Sequence, residues 1–385
     1  MNLFPNEAER RAAFPICHEK IFLAHAGVCV LPRVVADAIH RYVEIGALSH
    51  QEDAHTWREV AKTRVLGSQL LGCASEEVAL LGPTSIGLSL FANGLEWQAG
   101  DEVVCYADDY PANVYPWLDL QRRGVKVHLL QPERPGEITP ELIETVLNER
   151  TRLVAVASAH YFTGYRPDLS AIGAMLHARG ILFAVDAIQT VGAFPMDTTH
   201  IDFLSADAHK WLLGPCAIGY VMVKREHFDR LRPTLLGAWN VESPGFIAQS
   251  EIRFVPTAQR YEPGALNFPG ICGLRAASEL LLETGLEAIA GRLLELKAAL
   301  LARLEPMGFQ LIGPREGPRT HAITTLRREG IDHEKLHLHL LEKGIACSLR
   351  GDRSGTQWLR FSPHYYNTER EFDRVASTVC EFLEK

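Results

Sequence analysis

The sequence predicts an α/β protein with a mainly parallel sheet, followed by a smaller α/β domain. Three observations predict this. Short β-branched apolar runs alternate with amphipathic helical stretches from roughly residue 75 to 225, the pattern of a sheet with helices on both faces. The stretch around Asp168 reads strand–helix–strand, which implies a right-handed crossover and a parallel pair. From about residue 275 to the end, helices and short strands alternate again.

Each element has its own signal. Val103 to Tyr106 reads as a strand, followed by a helix from about Val114 to Gly124 and a strand from Val125 to Leu130. Leu153 to Ala157 is apolar and β-branched, as a buried strand is. Asp168 caps a helix whose Leu169, Ile172, Met175 and Leu176 share one face; Gly180 stops it, and Ile181 to Val185 forms the next strand. Gly237 to Gly273 is rich in Gly, Pro and Asn and reads as a long excursion. A strong helix follows over Leu286 to Leu304, then strands at Phe309–Ile312 and Ala322–Leu326. His333 to Glu342 reads as a helix, and Ile345–Leu349 and Trp358–Ser362 as extended. Thr368 and Glu371 form a capping box that opens the last helix.

Composition bounds the function. At 385 residues the chain exceeds one typical domain, and 47% hydrophobic with 22% charged residues is ordinary for a soluble globular protein. A net charge of −8 without a polybasic tract argues against a nucleic-acid partner. The eight cysteines form no C-x-x-C pair, so zinc spacings are absent and reduced thiols are expected. The N-terminus has no apolar core of a signal peptide, and no stretch reaches the length of a membrane span. The expectation is a cytoplasmic enzyme with a small-molecule substrate and no metal.

The chemistry concentrates in Ser205 to Pro215, SADAHKWLLGP. Lys210 stands in apolar company (Trp211, Leu212, Leu213), which would desolvate its amine and lower its pKa. Upstream, Asp186 ends a strand, with Gln189 three residues on. A lysine amine forms a Schiff base with an aldehyde, and a carboxylate holds a pyridinium protonated as an electron sink, so the combination suggests pyridoxal phosphate. Asp186 taken alone reads better as a helix cap. Gly82-Pro83-Thr84-Ser85 opens a helix whose free N–H groups suit a phosphate, with His209 as a further ligand. The same residues also suit an ordinary helix cap. Tyr110 could stack on the cofactor ring or be packed in the core. Arg360 offers a bidentate fork for a substrate carboxylate or a structural ion pair.

These motifs together resemble the class V aminotransferases, the group with the cysteine desulfurases, kynureninases and isopenicillin-N-epimerase-like proteins. The resemblance runs from FLAHAGVCVLP through GPTSIGLSL, DDYPANVYPW, AVDAIQTVG, SADAHKWLLGP and YEPGALNFPG to LRFSPHYYNTEREFD. It implies a fold-type I pyridoxal-phosphate enzyme: a homodimer, each chain with a large cofactor domain over 20–255 and a small domain over 256–385 joined by 1–19. It implies Lys210 as the aldimine lysine, Asp186 as the pyridinium partner, Gln189 as the phenolate partner and Thr84, Ser85 and His209 as phosphate ligands. Arg360 becomes the carboxylate-binding arginine, and Tyr110 the stacking ring. Gly264 and Asn267 lie in a turn similar to one that reaches a neighbour's phosphate.

The chain departs from the pattern in places. Cysteine desulfurases carry a catalytic cysteine shortly before the carboxylate-binding arginine, whereas SLRGDRSGTQWLR has none, and Cys347 upstream reads as packing. Asp207 stands near a position where many relatives have serine, and its role is open. His160 falls near a cofactor-facing position. The expected reaction runs through a Cα carbanion. An aminotransferase is the leading expectation, a β-lyase acting on carbon–sulfur bonds the second, and a non-catalytic cofactor-binding regulator the third. Side-chain selectivity is expected from Arg350, His25 and the loop at Trp239 and Asn240.

Overall fold

The computed structural model describes residues 3–384. Its centre is a seven-stranded sheet formed by β1 (Val78–Leu80), β2 (Glu102–Tyr106), β3 (Lys126–Leu130), β4 (Thr151–Ala157), β5 (Leu182–Asp186), β6 (Phe203–Asp207) and β7 (Gly219–Val223). The spatial order is β1-β7-β6-β5-β4-β2-β3, and β7 alone runs antiparallel to its neighbours. The strands read as continuous apolar runs because both faces are covered. Val104, Val154, Phe183 and Leu204 enter one core; Val103, Leu153, Leu182 and Phe203 enter the other.

The helices supply those covers. Residues Thr84–Gly94 form a helix lying close over β6 and β7; a side chain at Gly87 would collide with Ser205 and Val221, so the close approach requires glycine there. The crossover helix Leu169–His177 begins where expected, with Asp168 Oδ1 accepting from Ala171 N at 3.1 Å. The long helices Arg33–Leu48 and Ala54–Leu71, which the sequence analysis did not single out, pack along Phe268–Thr284.

A second, four-stranded antiparallel sheet contains β8 (Gln310–Ile312), β9 (Thr324–Arg327), β10 (Ser348–Gly351) and β11 (Gln357–Phe361), in the order β10-β11-β9-β8. It packs with helices Leu286–Leu304, His333–Glu342 and Glu369–Leu383 around its own core. Thr368 N donates to Glu371 at 2.9 Å at the start of the last helix. Among the described residues no helix is long and apolar enough to cross a membrane.

The structure differs from the sequence expectation in three elements, the first being the helix Phe268–Thr284, which begins inside the stretch expected as an excursion to Gly273. The single helix over 114–124 is instead a short helix, Tyr115–Asp119, between two 3-10 turns. Pro111 and Pro116 lack donors, and Gly124 closes the segment at φ 78°. The strand over 345–349 is split: Ile345–Ala346 pairs with Ile21–Phe22, and Ser348–Gly351 turns to β11. These contacts bear on the domain division. Because Phe268–Thr284 packs on the large-sheet side, we propose a boundary near Gly285 rather than at 256.

Candidate active site

The catalytic candidates follow the carboxyl ends of the parallel strands, where an open α/β sheet places its ligands. β1 leads to Thr84 and Ser85, β2 to Tyr110, β4 to Tyr161, β5 ends in Asp186 and β6 leads to His209 and Lys210. A cavity of about 320 Å³ is lined by these residues together with Gly27, Arg350 and Arg360. A larger cavity of about 590 Å³ lies beside it, lined by Tyr115, Phe162 and Arg353 among others. It lacks the buried lysine and the two convergent arginines, so the smaller cavity is the candidate site.

Lys210 is 5% exposed. Burial pushes its amine down to about 8, against the opposing charge of Asp186; Arg360 and Arg350 push the same way as burial. Its Nζ lies 5.2 Å from the ring centre of Tyr110. The turn after it is held by Leu213 N donating to Lys210 O and by Gly214 N donating to Ala208 O.

Asp186 is buried, and burial raises its carboxyl above the usual range. Its Oδ1 accepts from Ile188 N at 3.0 Å, the turn role that a cap reading foresees, while the other oxygen remains for a cationic N–H. Asp109, not singled out from the sequence, lies in the same electrostatic neighbourhood. Burial and the charge of Asp186 raise it to about 7, although Asn113 Nδ2 and Ala157 N donate to its Oδ2.

The helix start at Thr84 is the candidate anion-binding end. Thr84 Oγ1 accepts from Asp207 N at 2.8 Å, and Ser205 Oγ donates to Thr84 O at 3.1 Å. Asp207, whose role the sequence left open, accepts from Ala208 N at 2.6 Å through Oδ1, which also lies 3.3 Å from His209 Nδ1. Its Oδ2 is buried without a partner.

Arg360 is 1% exposed and donates from Nη1 to Tyr161 O at 2.7 Å. Its Nε and Nη2 have no partner, nor does Arg350 Nε. Burial and the neighbouring Arg350 bring the Arg360 guanidinium down to about 9.

Several expected residues are not in this cavity. Gln189 is buried with its amide engaged: Nε2 donates to Ala26 O at 3.2 Å and Oε1 accepts from Trp211 Nε1 at 2.7 Å. His25 is packed between Ser362 O and the Tyr366 hydroxyl. In the structure Gln189 braces Ala26 and Trp211, and His25 packs with Ser362 and Tyr366; neither side chain lines the cavity. Gly264 and Asn267 lie outside the cavity of their own chain, and Asn267 caps a helix by accepting from Gly270 N. His160 is held by Thr163 Oγ1 and Asp108 O and lines the larger cavity. Trp239 packs on Trp57, and Asn240 braces its loop through Leu235 O and Arg260 O. Tyr161 and Gly27, by contrast, line the cavity without having been foreseen.

The cavity's chemistry matches one phosphorylated, aldehyde-bearing aromatic cofactor. It offers a desolvated amine, a buried strand-end carboxylate, a helix start with free N–H groups and a guanidinium with two unpartnered donors.

Known proteins share this plan. The family model described as aminotransferase class-V matches residues 21–375. A probable cysteine desulfurase of Methanothermobacter thermautotrophicus is 25% identical, with 98% of each chain covered. An uncharacterized aminotransferase, YcbU, of Bacillus subtilis is 27% identical, with 96% of each covered. Among solved structures, the cysteine desulfurase CsdA of Escherichia coli is 25% identical with a TM-score of 0.87 over 99% of each chain. A cysteine desulfurase of Thermococcus onnurineus has a TM-score of 0.90 at 21% identity, covering 100% of both.

Proposed function

We propose, for a chain that belongs to the aminotransferase class-V family, that the Lys210 cavity binds an α-amino acid and moves its amino group to a 2-oxo acid. The protein is a pyridoxal-phosphate-dependent enzyme of that family. The cofactor, when bound, supplies an aldehyde that bonds amines and a protonated ring that takes up the electron pair of a broken Cα bond. Lys210, Asp186, Thr84, Ser85, His209 and Tyr110 are the residues that would hold it.

The observation that carries the reading is the meeting of a desolvated lysine with an arginine that has two unpartnered donors in one cavity. Arg360 receives the α-carboxylate and so fixes the amino acid's orientation. The amine of Lys210, which burial brings down to about 8, takes the Cα proton and returns it. Asp186 keeps its charge by facing a cationic N–H, because a buried carboxylate without one would take up a proton. Tyr110 and Tyr161, 5.6 Å apart edge to face, form an aromatic wall.

A second reading is a β-lyase acting on a carbon–sulfur bond, favoured by the desulfurase names of several relatives. A desulfurase that passes sulfur to its own thiol has less support. No cysteine lines the cavity. Cys347 is buried, lies 3.5 Å from His337 Nδ1, and is pushed up to about 12 by burial, so its thiol stays protonated.

A homodimer completes the proposal: the loop carrying Leu235, Leu236, Phe246 and Ile247 exposes apolar surface that a second copy would cover. Product analysis after incubation with an L-amino acid and a 2-oxo acid tests the reaction. A new amino acid supports transfer. Pyruvate with ammonia or sulfide, without amino-group transfer, supports the lyase. A loaded protein whose visible band ignores every amino acid supports a regulator instead.

A further inference from the structure

We propose that the cavity selects an amino acid with a second carboxylate, an acidic amino acid, and that Arg350 is the residue that binds the extra group. The proposal rests on the active-site reading above.

Sheet register brings two arginines together. Arg350 pairs with Trp358 across β10 and β11, while Arg360 pairs with Ser348. Arg360 is two residues beyond Trp358, so the arginines are diagonal neighbours on one face of the sheet, within reach of long side chains. Both line the cavity of Lys210.

Their heads converge on one point. A Cβ built on Gly27 would lie 3.6 Å from Arg360 Nη2 and 3.7 Å from Arg350 Nη2. A side chain at position 27 would occupy the space between the guanidiniums; glycine leaves it open to a ligand. The two Nη2 atoms flank that space closely enough for one short dicarboxylate to touch both.

Charge is unbalanced there. Like charges this close repel: burial chiefly, and the charge of Arg350 with it, lower Arg360. Neither arginine has a carboxylate within ion-pair distance among the described residues, and three of their donors are buried without a partner. Of the acidic residues, only Asp186 lines the cavity, and it would be held by the cofactor's ring N–H. The helix start at Thr84 would hold the cofactor's phosphate. One α-carboxylate neutralises one guanidinium and leaves the second unpaired, which is costly in a partly buried site. A second carboxylate on the substrate removes that cost.

The test is calorimetric titration of the cofactor-loaded protein with succinate and with butyrate, neither of which carries an amine to react. Succinate is expected to bind at least about tenfold more tightly than butyrate. In Arg350→Met that ratio should fall towards one with cofactor content unchanged, and Arg350→Lys should keep part of it. Equal affinities in the unaltered protein, or no binding of either acid, would overturn the proposal. So would an equal loss for both acids in Arg350→Met, which would mean that the arginines share one carboxylate. Loss of the cofactor in that variant would assign Arg350 to the phosphate instead. The visible band reports separately on the active-site reading. A band with no succinate preference leaves that reading standing and ends this one. A succinate preference in a protein that never develops a band with pyridoxal phosphate does the reverse.

Discussion

Thr84 Oγ1 accepts the backbone N–H of Asp207 at 2.8 Å, which ties the helix start after β1 to the strand end that delivers Lys210. One short bond thus sets the spacing between the proposed phosphate site and the reactive amine. Thr84→Ala removes both the tie and a hydroxyl proposed to face the phosphate. A hydrogen bond to a charged group is worth about 1.5–3 kcal/mol, so affinity for pyridoxal phosphate should fall by at least about tenfold. Thr84→Ser should restore most of it. Absorbance titration of cofactor-free protein measures both, and unchanged affinity in the alanine variant would remove Thr84 from the site.

Lys210 makes a stability prediction with a defined sign. Its amine is lowered from 10.5 to about 8, chiefly by burial. Below about 8 the folded protein carries a proton that the unfolded chain binds more tightly, so folding bears the full cost. The cost declines as pH rises from about 8 to 10.5 and vanishes above. In cofactor-free protein, Lys210→Met should therefore be more stable by about 3 kcal/mol at pH 7. The gain should shrink through that window. Denaturant titrations at pH 7, 9 and 10.5 give the profile; a gain independent of pH would contradict the buried charged amine.

Asp186 separates cofactor attachment from chemistry. Asp186→Ala leaves Lys210 in place, so the loaded variant should keep its visible band. Exchange of the substrate Cα proton into deuterated solvent should drop by at least about a hundredfold, because the ring loses the carboxylate that holds its nitrogen protonated. Proton exchange followed by nuclear magnetic resonance reads this directly. Full exchange in the variant would leave Asp186 with only its turn role at Ile188 N.

Much of this site is legible in the sequence because its residues mark strand ends. Asp186 closes an apolar run, Lys210 follows one, and Thr84 opens a helix after Gly82-Pro83; local pattern alone places all three. What was not legible depends on distant contacts. Gln189 looks free three residues after Asp186, but Trp211 takes its carbonyl oxygen, and no local signal announces that partner. Gly27 seems an ordinary loop glycine until the register of β10 and β11 brings two guanidiniums to it. The broken helix at 115–119 could have been read from Pro111 and Pro116. The reversed direction of β7 needs the sheet order, which no single strand encodes.

Cys347 decides between a thiol-based desulfurase and the other reactions. It is 6% exposed, sits where the chain passes from Ile345–Ala346 into β10, and belongs to the core of the second sheet. With burial raising it to about 12, almost no thiolate exists at neutral pH. Cys347→Ala should then change activity less than twofold while costing about 1 kcal/mol of stability, the size of a small core deletion. Sulfide release from L-cysteine and amino-group transfer would both be assayed in this variant, alongside its thermal midpoint. If sulfide release falls a hundredfold while the midpoint barely moves, the thiol takes part in the reaction and the aminotransferase reading gives way.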